Sequence, residues 1–190
     1  MNEWELINKL RLGDQAAFKL LVETWQDMVY NTALGIVQHP GDAEDIAQET
    51  FVQVYQSVGT FKGEAKFSTW LYRITLSKAM NHIRNAKRKK RFAFVRSIFG
   101  DKNEQVIQVT DFNHPGITLD NKEAAATIFK AIQKLPDKQK IAFTLNKVEG
   151  LSYQEISEIM DTTVSSVESL LHRAKTNLRI WLEDFYLEKG

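Results

Sequence analysis

The sequence predicts an all-α protein of two small helical domains joined by a linker, the C-terminal domain carrying a helix-turn-helix. Three observations predict it. Apolar residues recur at three- and four-residue spacing over most of the chain, the period of an amphipathic helix. Only 3 prolines and 9 glycines occur in 190 residues, so few positions interrupt a helix. The periodicity lapses after about residue 92, in a stretch holding Gly100, Pro115 and Gly116, and returns near Asp120. These shifts divide the chain into a first domain over 1–95, a linker over 96–119 and a second domain over 120–190. The apolar pieces Phe92 to Phe99 and Val106 to Val109 could pack locally within that stretch.

Residues 3–12 form a short helix. Asp14 is placed to cap a second, whose stripe is Ala17, Phe18, Leu21, Val22, Trp25, Val29, Ala33 and Ile36. His39-Pro40-Gly41 ends it, and Asp42 is expected to cap a third helix that buries Ala43, Ile46, Ala47, Thr50, Phe51, Val54 and Val58. Gly59 stops that helix. After a loop over 62–66, Ser68 or Thr69 opens a long fourth helix, buried through Trp70, Leu71, Ile74, Met80 and Ile83. In the second domain, Ala124, Ile128, Ala131, Ile132 and Leu135 share one face, and Ile141, Phe143, Leu145 and Val148 follow Pro136. Gly150 suits a left-handed helix end. Ser152 and Glu155 have capping-box spacing ahead of a helix through Met160. Asp161-Thr162-Thr163 makes a tight turn, and a last helix from about Val164 to Phe185 buries Val167, Leu171, Ala174 and Leu178.

Composition excludes several classes. The chain has no cysteine, which removes disulfides, thiolate metal sites and cysteine nucleophiles. The N-terminus lacks the apolar core of a signal peptide, and no apolar run approaches the roughly 20 residues that span a bilayer. A cytoplasmic protein with no direct membrane binding is expected. The net charge of +1 hides segregation. Arg84 to Arg96 holds seven basic residues and no acid, while Asp42 to Glu49 holds four acids and no base. Separate charged surfaces imply separate partners.

Three stretches carry candidate chemistry. Asp42, Asp45 and Glu49 fall on one helical face beside Gln48. This pattern suits helix capping, since acids in a first turn favour the macrodipole, and equally suits docking of a protein partner. The spacing lacks a calcium-loop pattern and further metal ligands. The second stretch is Phe61 to Arg91, where Phe61, Phe67, Trp70 and Tyr72 precede the cationic run. Trp70 and Phe67 are assigned to the core, and Lys66, Tyr72, Arg73 and the loop 62–66 to the surface. Aromatics beside cations, with Asn81, His82 and Asn85 among them, favour a phosphate track with bases close by over a merely solvated face. Opening duplex DNA costs about 1.4 kcal/mol per base-pair step, and a captured base returns about 1–3 kcal/mol. One small domain therefore holds a base or two and needs a larger machine to sustain a bubble. The third stretch, Tyr153 to Arg179, has helix-turn-helix spacing. Its outer face shows Ser165, Ser166, Glu168, Ser169, His172 and Arg173, with Thr176 and Arg179 beyond. That face suits a major groove, and it equally suits an ordinary helical hairpin with a solvated side. The net acidity of the last fifty residues argues against tight DNA binding by this half alone.

Taken in order, DAEDIAQETFVQVY, FSTWLYRI and LSYQEIS…VSSVESLLHRAK resemble the extracytoplasmic-function (ECF) group of bacterial RNA polymerase sigma factors, of the sigma-70 family, over nearly the whole chain. The resemblance implies a transcription initiation factor, not an enzyme, with no cofactor. It implies docking on core RNA polymerase through Asp45, Gln48 and Glu49. It implies −10 recognition and melting of promoter DNA through Lys62, Gly63, Lys66, Tyr72, Asn81, Arg84, Asn85 and Arg88, and −35 recognition through Ser165, Ser166, Glu168, Ser169, His172 and Arg173. An anti-sigma factor, often membrane-anchored, is an implied partner. The sequence departs from the family where Glu168 replaces a basic residue common in other members, and it carries a single tryptophan, Trp70, in the melting segment. A stand-alone helix-turn-helix regulator is the competing class, but it needs neither the acidic helix nor the melting stretch. An enzyme is disfavoured because His39, His82, His114 and His172 are dispersed and no hydrolase or phosphate-loop motif occurs.

Overall fold

The computed structural model describes residues 2–99 and 122–187, with side chains over 2–89 and 127–183. The described residues are helical throughout, apart from turns and short loops. Helix α1 (Glu3–Arg11) is capped by Asn2 and buries Leu6, Ile7 and Leu10. Helix α2 (Gln15–Val37) is capped as expected, the Asp14 carboxylate accepting the Ala17 N–H at 3.0 Å. Gln38, at φ 57, ends it.

Helix α3 (Pro40–Ser57) starts earlier than the sequence suggested. The cap is His39 rather than Asp42: its Nδ1 accepts the Asp42 N–H at 3.1 Å. Pro40 then occupies the first helical position, where a missing N–H costs nothing. A 3-10 turn, Val58–Thr60, leads to the loop 62–66. Helix α4 (Phe67–Phe99) begins a residue before Ser68 and runs past 95, where the first domain was expected to end. Most of the expected linker, residues 100–119, lies outside the described residues, as does the Val106 to Val109 piece.

The second half contains α5 (Lys122–Lys134), α6 (Asp137–Lys147), α7 (Tyr153–Met160) and α8 (Val164–Leu187). Both hydrogen bonds of the expected capping box are present at Ser152 and Glu155. Gly150 is left-handed, at φ 68. Val148, at the end of α6, is 54% exposed. Helix α6 instead buries Ala142, Thr144 and Leu145, with the Lys140 stem beside them.

Three apolar clusters hold the chain. One joins α1, α2, α3 and the start of α4 around the fully buried Phe67, whose ring centroid lies 5.5 Å from those of Phe61 and Trp70. A small one joins α5 to α8 through Ala131, Leu135, Ala174 and Leu178. The third crosses between the halves: Ala33, Leu34, Ile36, Leu76 and Met80 pack with Ala142, Leu145, Ile156, Ile159 and Leu171. The domains therefore share a core in this closed arrangement.

At the seam, α2 and α6 approach closely. The Thr144 hydroxyl donates to the Gly35 carbonyl at 3.3 Å. A β-carbon on Gly35 would lie 2.4 Å from the Thr144 methyl carbon. Gly35→Ala should therefore wedge the halves apart, costing about 1–3 kcal/mol as overpacking does and enlarging the particle in small-angle X-ray scattering. Thr144→Ala in the same chain should restore both stability and size, because the atoms that clash are gone.

Candidate nucleic-acid interface

The acidic face is built on α3. Asp45, Gln48 and Glu49 are all exposed and border a groove of about 420 Å³ with Val52, Gln53, Gln56 and Lys78 of α4. Val52 is 54% exposed, an apolar centre among polar neighbours. Lys78 lies 3.8 Å from Glu49. Asp42 has a different role. It stands in the first turn of α3, where negative charge meets the positive end of the helix dipole. It also pairs with His82 at 3.3 Å and His39 at 3.6 Å. Asp45 and Glu49 lie further along the helix, beyond the reach of that dipole, so capping does not account for them. Among the described residues, no group of three or more histidines and carboxylates is placed to hold a metal ion.

The basic surface combines the loop with the outer side of α4. Lys62 and Lys66 are exposed, and Gly63 is left-handed at φ 76. Asn81, Arg84, Asn85 and Arg88 are exposed at three- and four-residue spacing, so they form one stripe. His82 faces Asp42 instead.

Tyr72, expected on the surface, is only 7% exposed. It lies four residues before Leu76, on the stripe that continues through Ala79 and Met80 into the shared core. The second half covers it, which no pattern within its own domain records. Its hydroxyl donates to a Glu149 carboxylate oxygen at 3.0 Å. Arg73 donates to the Glu158 carbonyl of α7 at 2.6 Å, and Lys66 lies 3.9 Å from Glu155. Helix α7 thus sits over the loop, leaving between them a cleft of about 760 Å³.

Burial raises the Glu149 carboxyl above its ordinary 4.5, against the lowering effect of the Tyr72 hydrogen bond. The Thr32 hydroxyl, buried like the second carboxylate oxygen, also acts to lower it. Burial, then the nearby Glu149 charge, also raises the Tyr72 hydroxyl, so tyrosine stays the donor. Nothing in the sequence around Glu149 distinguished it from an ordinary helix-end acid, because its partner lies 77 residues away.

Helix α8 buries Val167, Leu171, Ala174 and Leu178 as its period requires. Ser165, Glu168, Ser169, His172 and Arg173 are exposed on the other side, and Ser166 is half-buried. Thr163 caps the helix, its hydroxyl oxygen accepting the Ser166 N–H at 3.1 Å. The turn places α7 against the buried side of α8 through Ile156 and Ile159, so the outer face of α8 remains free.

Two family models match the chain: sigma-70 region 2 over residues 21–89 and sigma-70 region 4 over residues 126–178. The chain is 33% identical over 171 residues to the RNA polymerase sigma-H factor of Pseudomonas aeruginosa, covering 90% of this chain and 89% of that one. It is 34% identical over 170 residues to the ECF RNA polymerase sigma-E factor of Escherichia coli K12, covering 90% and 88%. In fold it is similar to CnrH, solved in complex with the cytosolic domain of CnrY, with a TM-score of 0.67 and 21% identity over 94% of this chain and 96% of that one. It is also similar to the sigma factor RpoE solved with the anti-sigma factor NepR from Bartonella quintana, with a TM-score of 0.61 and 20% identity over 87% and 96%.

A carboxyl raised in the folded state binds its proton more tightly there than in the unfolded chain. The stability linked to Glu149 is therefore full below 4.5 and declines as pH rises through the interval between 4.5 and the raised value. The thermal midpoint of the wild-type chain should fall relative to that of Glu149→Gln as pH climbs through this interval. Comparing the two chains cancels the carboxylates they share. Parallel curves would show that Glu149 is not buried against Tyr72 in solution.

Proposed function

Because this chain belongs to the sigma-70 family of RNA polymerase sigma factors, in the extracytoplasmic-function group, we propose that its three surfaces carry three steps of promoter-specific initiation. The acidic face of α3 docks on core RNA polymerase through Asp45, Gln48 and Glu49. The loop 62–66 and the outer stripe of α4 recognise and open the −10 element. Lys62, Gly63 and Lys66 hold an unstacked base, and Asn81, Arg84, Asn85 and Arg88 follow the phosphates. The outer face of α8 enters the major groove at the −35 element through Ser165, Ser166, Glu168, Ser169, His172 and Arg173. The domains are 1–95 for docking and the −10 element, 96–119 as linker and 120–190 for the −35 element.

The observation that carries this reading is the α3 groove. An exposed acidic face repels phosphate and so belongs to a protein partner. It stands on the same domain as the cationic stripe of α4, whose Lys78 borders the groove. A stand-alone operator-binding regulator has no use for the first surface.

Geometry adds a constraint. The −10 and −35 elements lie about 25 base pairs apart, about 85 Å at 3.4 Å per step. Even the longest described element, the 33-residue α4, measures about 50 Å. The closed arrangement cannot touch both elements, so promoter engagement separates the halves and uncovers Tyr72 for the −10 strand. Regulation by an anti-sigma factor, of the often membrane-anchored kind, is part of this proposal. Such a partner acts by holding the halves together or by covering the α3 groove.

Reconstituted run-off transcription tests the reading, on promoters found by mapping transcripts that the holoenzyme starts on genomic DNA. Core polymerase should initiate there only with this chain added. The double charge reversal Asp45→Lys and Glu49→Lys should weaken core association about ten-fold or more, the scale of losing complementary interface charges, with helical content unchanged. Tight binding of duplex promoter by the chain alone, with no initiation gained by core polymerase, would instead establish the stand-alone regulator.

A further inference from the structure

Helix α1 lies ahead of the matched region 2 segment, which starts at residue 21, and none of its residues belongs to the three surfaces above. Yet it makes the contacts that hold the loop 62–66. At the entrance, the Arg11 guanidinium donates to the Phe61 carbonyl at 2.6 Å. At the exit, the Glu3 carboxylate accepts the Phe67 N–H at 3.3 Å. That N–H is one of the donors that the first turn of α4 leaves without a helical partner, and a side chain 64 residues away satisfies it. In the middle, the Trp4 indole covers Gly63. A β-carbon there would stand 2.3 and 2.7 Å from two of the ring carbons. The same ring reaches Phe61, with centroids 6.2 Å apart.

These contacts matter because the loop has little else to shape it. Among the described residues, Lys62 to Ala65 make no hydrogen bond to the rest of the chain. Gly63 adopts a left-handed turn that the backbone alone does not enforce. Trp4 nevertheless remains 52% exposed, with part of its ring bordering the cleft lined by Gly63, Glu64, Ala65 and Lys66. A residue whose only role was to fill the core would be covered.

We infer that α1 is the positioning element of the −10 loop, with Arg11 and Glu3 fixing its two ends and Trp4 fixing the turn at Gly63. This inference rests on the assignment of the loop to −10 recognition. Arg11, Glu3 and Trp4 are positioning residues, acting on DNA through the loop. A loop held at both ends and in the middle presents Lys62 and Lys66 to a strand already in place, so less ordering is left to occur when a base is captured.

The test uses holoenzyme reconstituted with full-length chains carrying Trp4→Ala, Arg11→Ala, Arg11→Lys or Lys66→Ala. Permanganate reactivity of unpaired thymines reports opening of the −10 element. Affinity for core polymerase and protection of the −35 element report everything else. Trp4→Ala and Arg11→Ala should each lower opening about ten-fold, within the range lost with one captured base. Core affinity and −35 protection should stay at wild-type levels, and Arg11→Lys should recover part of the loss. Normal opening in Trp4→Ala and Arg11→Ala, with Lys66→Ala impaired, would overturn the inference and leave the loop assignment standing. Parallel losses of core affinity, −35 protection and opening would also overturn it, because α1 would then serve only the fold. Normal opening in Lys66→Ala as well would remove the loop assignment and the inference with it.

Discussion

The approach of α2 to α6, made possible by the missing side chain at Gly35, is the constraint on which the closed form depends. With the Thr144 methyl seated in that space, the two backbones come near enough for Ala33, Leu34 and Ile36 to reach Ala142 and Leu145 across the seam. The apolar surface then continues through Met80 to Ile156 and Leu171, and the halves act as one body. Everything polar at the seam follows from this packing. Glu149 loses water, Tyr72 becomes its partner, and Arg73 and Lys66 find α7. The seam is thus apolar at its centre and polar along the edge that faces the basic loop.

Seam and function pull in opposite directions. The α3 groove and the outer face of α8 are free in the closed form, whereas the loop lies under α7 and Tyr72 is buried. Under the proposed reading, a chain in this state can meet polymerase before it can seize an unpaired strand. Core docking is then the step with which opening of the seam is naturally coupled. The free energy that closes the seam must be small enough for polymerase and DNA together to repay.

Much of this was legible in the sequence because it is local. Periodicity located the eight helices of the described residues to within a few residues. The capping box at Ser152, the left-handed Gly150 and the buried stripe of α8 are each set by neighbours within one or two turns. The exposed face of α3 and the stripe from Asn81 to Arg88 followed from the same reasoning. The errors are non-local or concern competing caps. His39 displaced Asp42 as the cap because Pro40 can begin a helix. Tyr72 was misplaced because its covering surface belongs to the other half. The contacts of Glu3, Trp4 and Arg11 with the loop bridge 50 or more residues, and no periodic pattern records them.

The length of α4 has a mechanical consequence. A continuous helix from Phe67 to Phe99 is a rod of about 50 Å, at 1.5 Å per residue. Its base is anchored among aromatic rings and its far portion carries the cations. A tilt of about ten degrees at the base would carry the tip about 9 Å, between two and three phosphate steps at 3.4 Å each. The rod is therefore a lever: small errors of seating at Phe67 become errors of whole nucleotides at its end. Under the proposed reading, alignment along the strand is decided in the hydrophobic pivot, at a distance from the charges assigned to the DNA.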